Sequence, residues 1–174
     1  ACLGLGGLLG GRWAGYAQAA DKPPAAPAMQ AHEAAPGCWY VEGLSALGSP
    51  ANQNFISNAG FIVTSSSVVV IDALGSPALA ERLLAEIARV TDKPVSHVIV
   101  THYHADHVYG LQVFADRGIP ILAHQAGREY LHADTARLRL QASREELAPW
   151  INDKTRLVPA TQWVDGRQEL TVGD

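Results

Sequence analysis

The sequence predicts an α/β fold, and three observations predict it. Short runs of β-branched and aromatic residues alternate with helix-forming segments from about residue 54 onward. The first two runs, Asn54–Thr64 and Val68–Ile71, are joined by Ser65-Ser66-Ser67 and read as a hairpin. A later run, Val95–Val100, is almost continuously apolar, the pattern of a strand covered on both faces, and it leads straight into a histidine-rich segment.

The elements follow in order. Asp72 ends the second strand, and Gly75-Ser76-Pro77 comes next. Ser76 suits an N-cap and Pro77 a first helical position, so a helix is expected from there to about Val90. Leu79, Leu83, Ile87 and Val90 share one face of it, while Glu81, Arg82, Glu86 and Arg89 lie around the rest. Lys93-Pro94 breaks the helix ahead of the Val95–Val100 strand. A second helix is expected over Val108–Asp116 and a short strand over Ile119–Ala123, after Gly118. Helical segments follow at Gln125–Leu131 and Ala142–Trp150. The last strands, Thr161–Val164 and Gln168–Val172, flank an Asp165-Gly166 turn. No internal repeat is present.

Length and composition fit one such domain. The chain has 174 residues, 48% hydrophobic and 17% charged, enough for one core and too short for two. A net charge of −4 supplies no field to attract nucleic acid or an anionic membrane, so a small-molecule substrate is the expected partner. Residues 1–19 hold leucines among small residues, a single charge at Arg12, and a small-x-small site at Ala17-Gln18-Ala19. This reads as the remainder of a secretory signal peptide, which places the protein in the periplasm or outside the cell. The run is too short and glycine-rich for a membrane span, which takes about 20 apolar residues. Residues 20–37, with Pro23, Pro24, Pro27 and Pro36 among alanines, read as a linker, and residues 38–174 as the domain. Once the signal is cut, Cys38 is the one cysteine left and has no partner for an internal disulfide.

The chemistry is concentrated in Thr101-His102-Tyr103-His104-Ala105-Asp106-His107. In an extended segment, side chains two apart point the same way, so His102 and His104 can reach one metal ion. Asp106 and His107 are consecutive and can swing toward a neighbouring point as the chain turns into a helix. One short loop can thus offer two ligands to each of two metals. Imidazole and carboxylate suit zinc, and two metals about 3.5–4 Å apart can clamp a substrate oxygen. A lone His-x-His is common. Four such donors in six positions after an apolar strand are not, and burying them without a metal would leave polar groups to satisfy.

This segment resembles the H-x-H-x-D-H signature of the metallo-β-lactamase superfamily. The preceding strand, Gly110, Asn58-Ala59-Gly60-Phe61 and Val68-Val69-Val70-Ile71-Asp72 fit the same pattern over roughly residues 38–174. The resemblance implies an αββα sandwich, of which this sequence is expected to be the N-terminal half. It also implies two zinc ions in the complete protein, with iron as the alternative metal. His102 and His104 would bind the first ion, and Asp106 and His107 the second. Asp106 would in addition orient the hydroxide shared between the metals, and Asp72 would support the site from behind. The family's later histidines and bridging carboxylate have no counterpart here. His124 and His132 come too early and are read as ordinary polar residues, His32 as a linker residue and His97 as a strand residue.

His107 directly after Asp106 points to the broad Asp-His group of the superfamily. The expected activity is therefore hydrolysis of an ester, thioester, lactone, amide or sulfate-type bond. The alternatives are a β-lactamase of the Asp-His type and a non-catalytic metal-binding remnant. An amidohydrolase barrel also places His-x-His after a strand, but calls for neither the Asp-His pair nor the hairpin. The 174-residue chain by itself is expected to be inactive, since a catalytic zinc normally takes three protein ligands. Mass spectrometry of the exported protein is expected to report Ala20 as the first residue; an uncut end at Ala1 contradicts the signal-peptide reading.

Overall fold

The computed structural model describes residues 26–173. The signal-peptide reading of residues 1–19 lies outside them. Seven strands form one sheet in chain order: β1 (Ala31–Ala35), β2 (Cys38–Val41), β3 (Ala59–Val63), β4 (Val68–Ile71), β5 (Val95–Val100), β6 (Ile121–His124) and β7 (Gln162–Val164). Neighbours from β1 to β4 are antiparallel, and those from β4 to β7 are parallel. Each parallel step needs a crossover. These are α1 (Pro77–Val90), then α2 (Ala105–Val108) with α3 (Leu111–Ala115), then α4 (Ala126–His132) with α5 (Asp134–Glu146). The α/β expectation holds.

The helix start predicted at Ser76 is present: its hydroxyl accepts from the Leu79 amide at 3.3 Å, and Pro77 opens α1. Leu79, Leu83 and Ile87 are buried against a row of paired strand residues, Phe61, Val70, Val98 and Ile121. Leu111 and Phe114 of α3 and Leu140 of α5 join the same cluster. Each such side chain contributes about 1.5–3 kcal/mol by leaving water.

Four expectations need correction. First, the linker over 20–37 ends earlier than its composition implies, because Ala31–Ala35 pair with β2. Gly37, at φ +75°, makes the tight turn that returns the chain, and its amide donates to Glu33 Oε1 at 3.1 Å. Glu86 Oε2 on α1 accepts from the Ala31 amide at 3.2 Å. Tertiary pairing here overrides alanine's weak strand preference.

Second, the strand expected over Asn54–Thr64 starts only at Ala59. Asn52 Oδ1 accepts from the Ser49 and Asn54 amides, and these local bonds hold residues 49–54 in a turn rather than a ladder. Third, the helix expected over Val108–Asp116 is two short ones, α2 and α3, with Tyr109-Gly110 between them; the helix expected over Ala142–Trp150 runs Asp134–Glu146 instead.

Fourth, no strand forms over Gln168–Val172. Gly166, at φ +67°, turns the chain away from the edge of β7. Gln168 and Leu170 then line a groove with Ile99 and Leu122, and Gly173 lies against Thr64 and Ser65. Residues 165–173 thus cross the sheet face opposite the main core. That face is only partly covered. Val98 and Val100 are buried, but His97 and Ile99, which alternate with them, are only partly buried, and Ile62 is 37% exposed.

Gly110 is required by close approach, not by its backbone angles. A Cβ there would stand 1.9 Å from the Ala73 carbonyl oxygen and 2.8 Å from Ala80 Cβ. Both are fixed, one by the end of β4 and the other by α1. Gly110→Ala is therefore expected to destabilise by roughly 1–3 kcal/mol or more, the cost of overpacking a core, read as a lower midpoint in urea. An unchanged midpoint would contradict this packing.

Candidate metal centre

The histidine segment starts where β5 stops, at the carboxyl end of the parallel strands. Its backbone is gripped by the chain leaving β4. The Ala73 amide donates to the His107 carbonyl at 2.9 Å, and the Gly110 amide to the Leu74 carbonyl at 3.2 Å. Asp72 and Leu74 adopt φ of +63° and +64° to allow this. Aspartate tolerates that region, but a buried leucine there is strained, a cost of order 1–3 kcal/mol that the surrounding contacts must offset.

Asp72 is buried, and its carboxylate accepts three hydrogen bonds. The Thr101 amide reaches Oδ1 at 2.8 Å, the Thr101 hydroxyl reaches Oδ2 at 2.7 Å, and His107 Nδ1 reaches Oδ2 at 2.8 Å. A carboxylate only accepts, so His107 Nδ1 carries a proton, and in the neutral ring the lone pair is on Nε2. The Thr101 hydroxyl donates its one hydrogen to Asp72, so its oxygen is left to accept from His102 Nδ1 at 3.0 Å. His102 is thereby left with its lone pair on Nε2 as well. Aspartate and threonine together set two imidazoles in the form that binds a metal.

The other side chains complete the cluster. Tyr103, between two exposed histidines, turns the opposite way and is buried beside Trp163 at a ring separation of 6.0 Å. That alternation leaves His102 and His104 on the same side, with ring centroids 4.6 Å apart; those of His102 and His107 are 4.2 Å apart. Asp106 and His107 lie within α2, and Asp106 Oδ2 stands 3.4 Å from His107 Nε2. The Ser57 hydroxyl donates to the Asp106 carbonyl and fixes this turn from the loop before β3. The hydrogen bond to Asp72 raises the His107 pKa above the usual imidazole value, against the lowering effect of burial. Desolvation, then the nearby charges of His107 and His104, lower that of His102.

The donor set has the chemistry of a metal site. Three imidazoles and a carboxylate converge, yet no group of three or more His, Cys, Asp or Glu side chains among the described residues is arranged to hold one ion. His124 does not add to it: its Nδ1 accepts from the Ala126 amide at 3.2 Å, and its Nε2 lies 3.9 Å from Asp165. His132 ends α4, His97 bonds Ser96 at 3.0 Å, and His32 faces Tyr40 across β1 and β2. Sequence reasoning missed Thr101 and Ser57 as supports. Both act across segments 29 and 49 residues apart, which no local pattern signals.

Among the described residues no helix is long and apolar enough to cross a membrane. Comparison with known proteins gives a consistent picture. The chain is 32% identical to a type 2 metallo-β-lactamase of Bacillus cereus over 73 residues, 42% of this chain and 28% of that protein. It is 32% identical to a linear primary-alkylsulfatase of Pseudomonas sp. (strain ATCC 19151) over 47 residues, 27% of this chain and 9% of that one. A solved metallo-β-lactamase from Erythrobacter litoralis superposes with a TM-score of 0.53 at 21% identity, covering 79% of this chain and 50% of its own. The chain thus spans half or less of the length of each of these relatives. The family model of the metallo-β-lactamase superfamily matches residues 53–172, and the chain belongs to that superfamily.

Proposed function

We propose that the full-length protein is an exported dinuclear-zinc hydrolase, with His102 and His104 on one ion and Asp106 and His107 on the other. The observation that carries this reading is the hydrogen-bond chain from Asp72 to His107 Nδ1 and, through Thr101, to His102 Nδ1, which leaves Nε2 of both rings for a ligand role. Membership of the superfamily makes hydrolysis the general chemistry. Zinc, when bound, supplies a Lewis acid and a water that ionises near neutral pH. The chain's own residues do the rest: the histidines position the ions, and Asp106 holds the attacking water in line as a hydrogen-bond acceptor. Asp72 keeps His107 from rotating. Export rests on the apolar N-terminal run and the Ala17-Gln18-Ala19 site.

The bond cleaved is of the ester, thioester, lactone, amide or sulfate type. Relatives named as an alkylsulfatase and a β-lactamase support testing sulfate esters and β-lactams first. Metal analysis of the full-length protein should find about two zinc ions. Replacing His102 or His104 by Ala should empty mainly one site, and replacing Asp106 or His107 mainly the other. Residues 20–174 alone should show no metal-dependent turnover, because two ligands hold zinc weakly. A full-length protein without transition metal, or a fragment with metal-dependent activity, contradicts this assignment.

A further inference from the structure

A cleft of about 480 Å³ opens beside His104 and Asp106, and its walls are built rather than loose. One wall is the loop before β3. Asn52 side-chain bonds brace it internally, Asn54 Nδ2 ties it to the Gly75 carbonyl at 3.0 Å, and Trp150 Nε1 ties it to the Pro50 carbonyl at 2.8 Å. This braced loop carries Leu47, which is 90% exposed and lines the cleft. Ile56 and Leu147 extend the apolar lining. Another wall is α5, which contributes Glu146 and Arg139, the one arginine or lysine among the residues lining the cleft.

Arg139 is available to a ligand. Its Nη1 donates to Glu146 at 3.1 Å, and no other hydrogen bond of its guanidinium is present among the described residues. Both partners are about half-exposed, at 49% and 54%. An ion pair of that kind is worth about 0–1 kcal/mol, so an incoming anion competes with it at little cost. The guanidinium offers five N–H donors in a planar fork that matches a carboxylate or sulfate in bidentate fashion.

We propose that Arg139 is the specificity-determining residue of this cleft and selects substrates with an apolar body and a distal anionic group. The reactive bond then lies over His104 and Asp106, the apolar body lies along Leu47, Ile56 and Leu147, and the anion pairs with Arg139. This rests on the hydrolase reading of the same site. Its source in sequence is remote: Arg139 is 33 residues after Asp106 in a helix with no motif of its own.

The test uses the full-length, zinc-loaded protein and two p-nitrophenyl esters of matched length, the hexanoate and the adipate monoester. Wild type should favour the anionic ester in kcat/KM. Arg139→Ala should lower the anionic-to-neutral ratio at least tenfold, chiefly through KM, and Arg139→Lys should restore part of it. Glu146→Gln, which removes the competing charge, should raise the ratio. Binding is read separately, from the change in tryptophan fluorescence on adding hexanoate or hexanamide to protein without substrate. Hexanoate should bind the tighter of the two in wild type and lose that advantage in Arg139→Ala. If neither ester is hydrolysed but hexanoate binding still depends on Arg139, the ester-hydrolase reading fails and the anion site stands. An unchanged ratio and unchanged hexanoate binding in Arg139→Ala, or the same loss in Glu146→Gln, would overturn the proposal and leave the pair a structural contact.

Discussion

The carboxylate of Asp72 is the constraint on which the rest of the site depends. It sits at the end of β4 and accepts from the first residue beyond β5 and from α2, so one buried side chain joins three segments that are 29 and 35 residues apart. Hydrogen bonds to a charged group are worth about 1.5–3 kcal/mol each, and leaving such a group buried and unpaired costs more than the bonds contribute. The positive φ angles at Asp72 and Leu74 are the strain that this arrangement holds in place. Its effect is chemical as well as mechanical. Because the acceptor is fixed, the protons of His102 and His107 are fixed too, and two ligand lone pairs are aimed before any metal arrives.

The fold puts this constraint at the carboxyl ends of the parallel strands. Parallel strands β4, β5 and β6 end at the same edge, and the segments leaving β4 and β5 meet there. On the core side the sheet is covered by apolar helix faces, so the edge is held by a packed interior. The opposite face carries partly buried His97 and Ile99 and is crossed by residues 165–173.

Much of this was legible in the residues. Ser76-Pro77 marked the start of α1 because capping is local chemistry, and the alternation of His102, Tyr103 and His104 marked which rings share a side. The spacing of Asp106 and His107 placed them on a helical turn. What was not legible depended on distant partners. Ala31–Ala35 carry no strand signal and become a strand only because β2 and Glu86 take up their backbone groups. Gln168–Val172 have the composition of a strand, yet the turn at Gly166 sends them across the sheet. Thr101, Ser57 and Arg139 gain their roles from registers and packing that no window of sequence displays.

The central claim is that Asp72 presets the imidazoles. Long-range proton–nitrogen NMR of the histidine rings, on metal-free protein at a pH where the imidazoles are neutral, tests it most directly. His102 and His107 should each show a protonated Nδ1 and a bare Nε2, and in Asp72→Ala His107 should lose that single tautomer. Protonated Nε2 on either ring in the wild type, or an unaltered His107 in Asp72→Ala, would contradict the account.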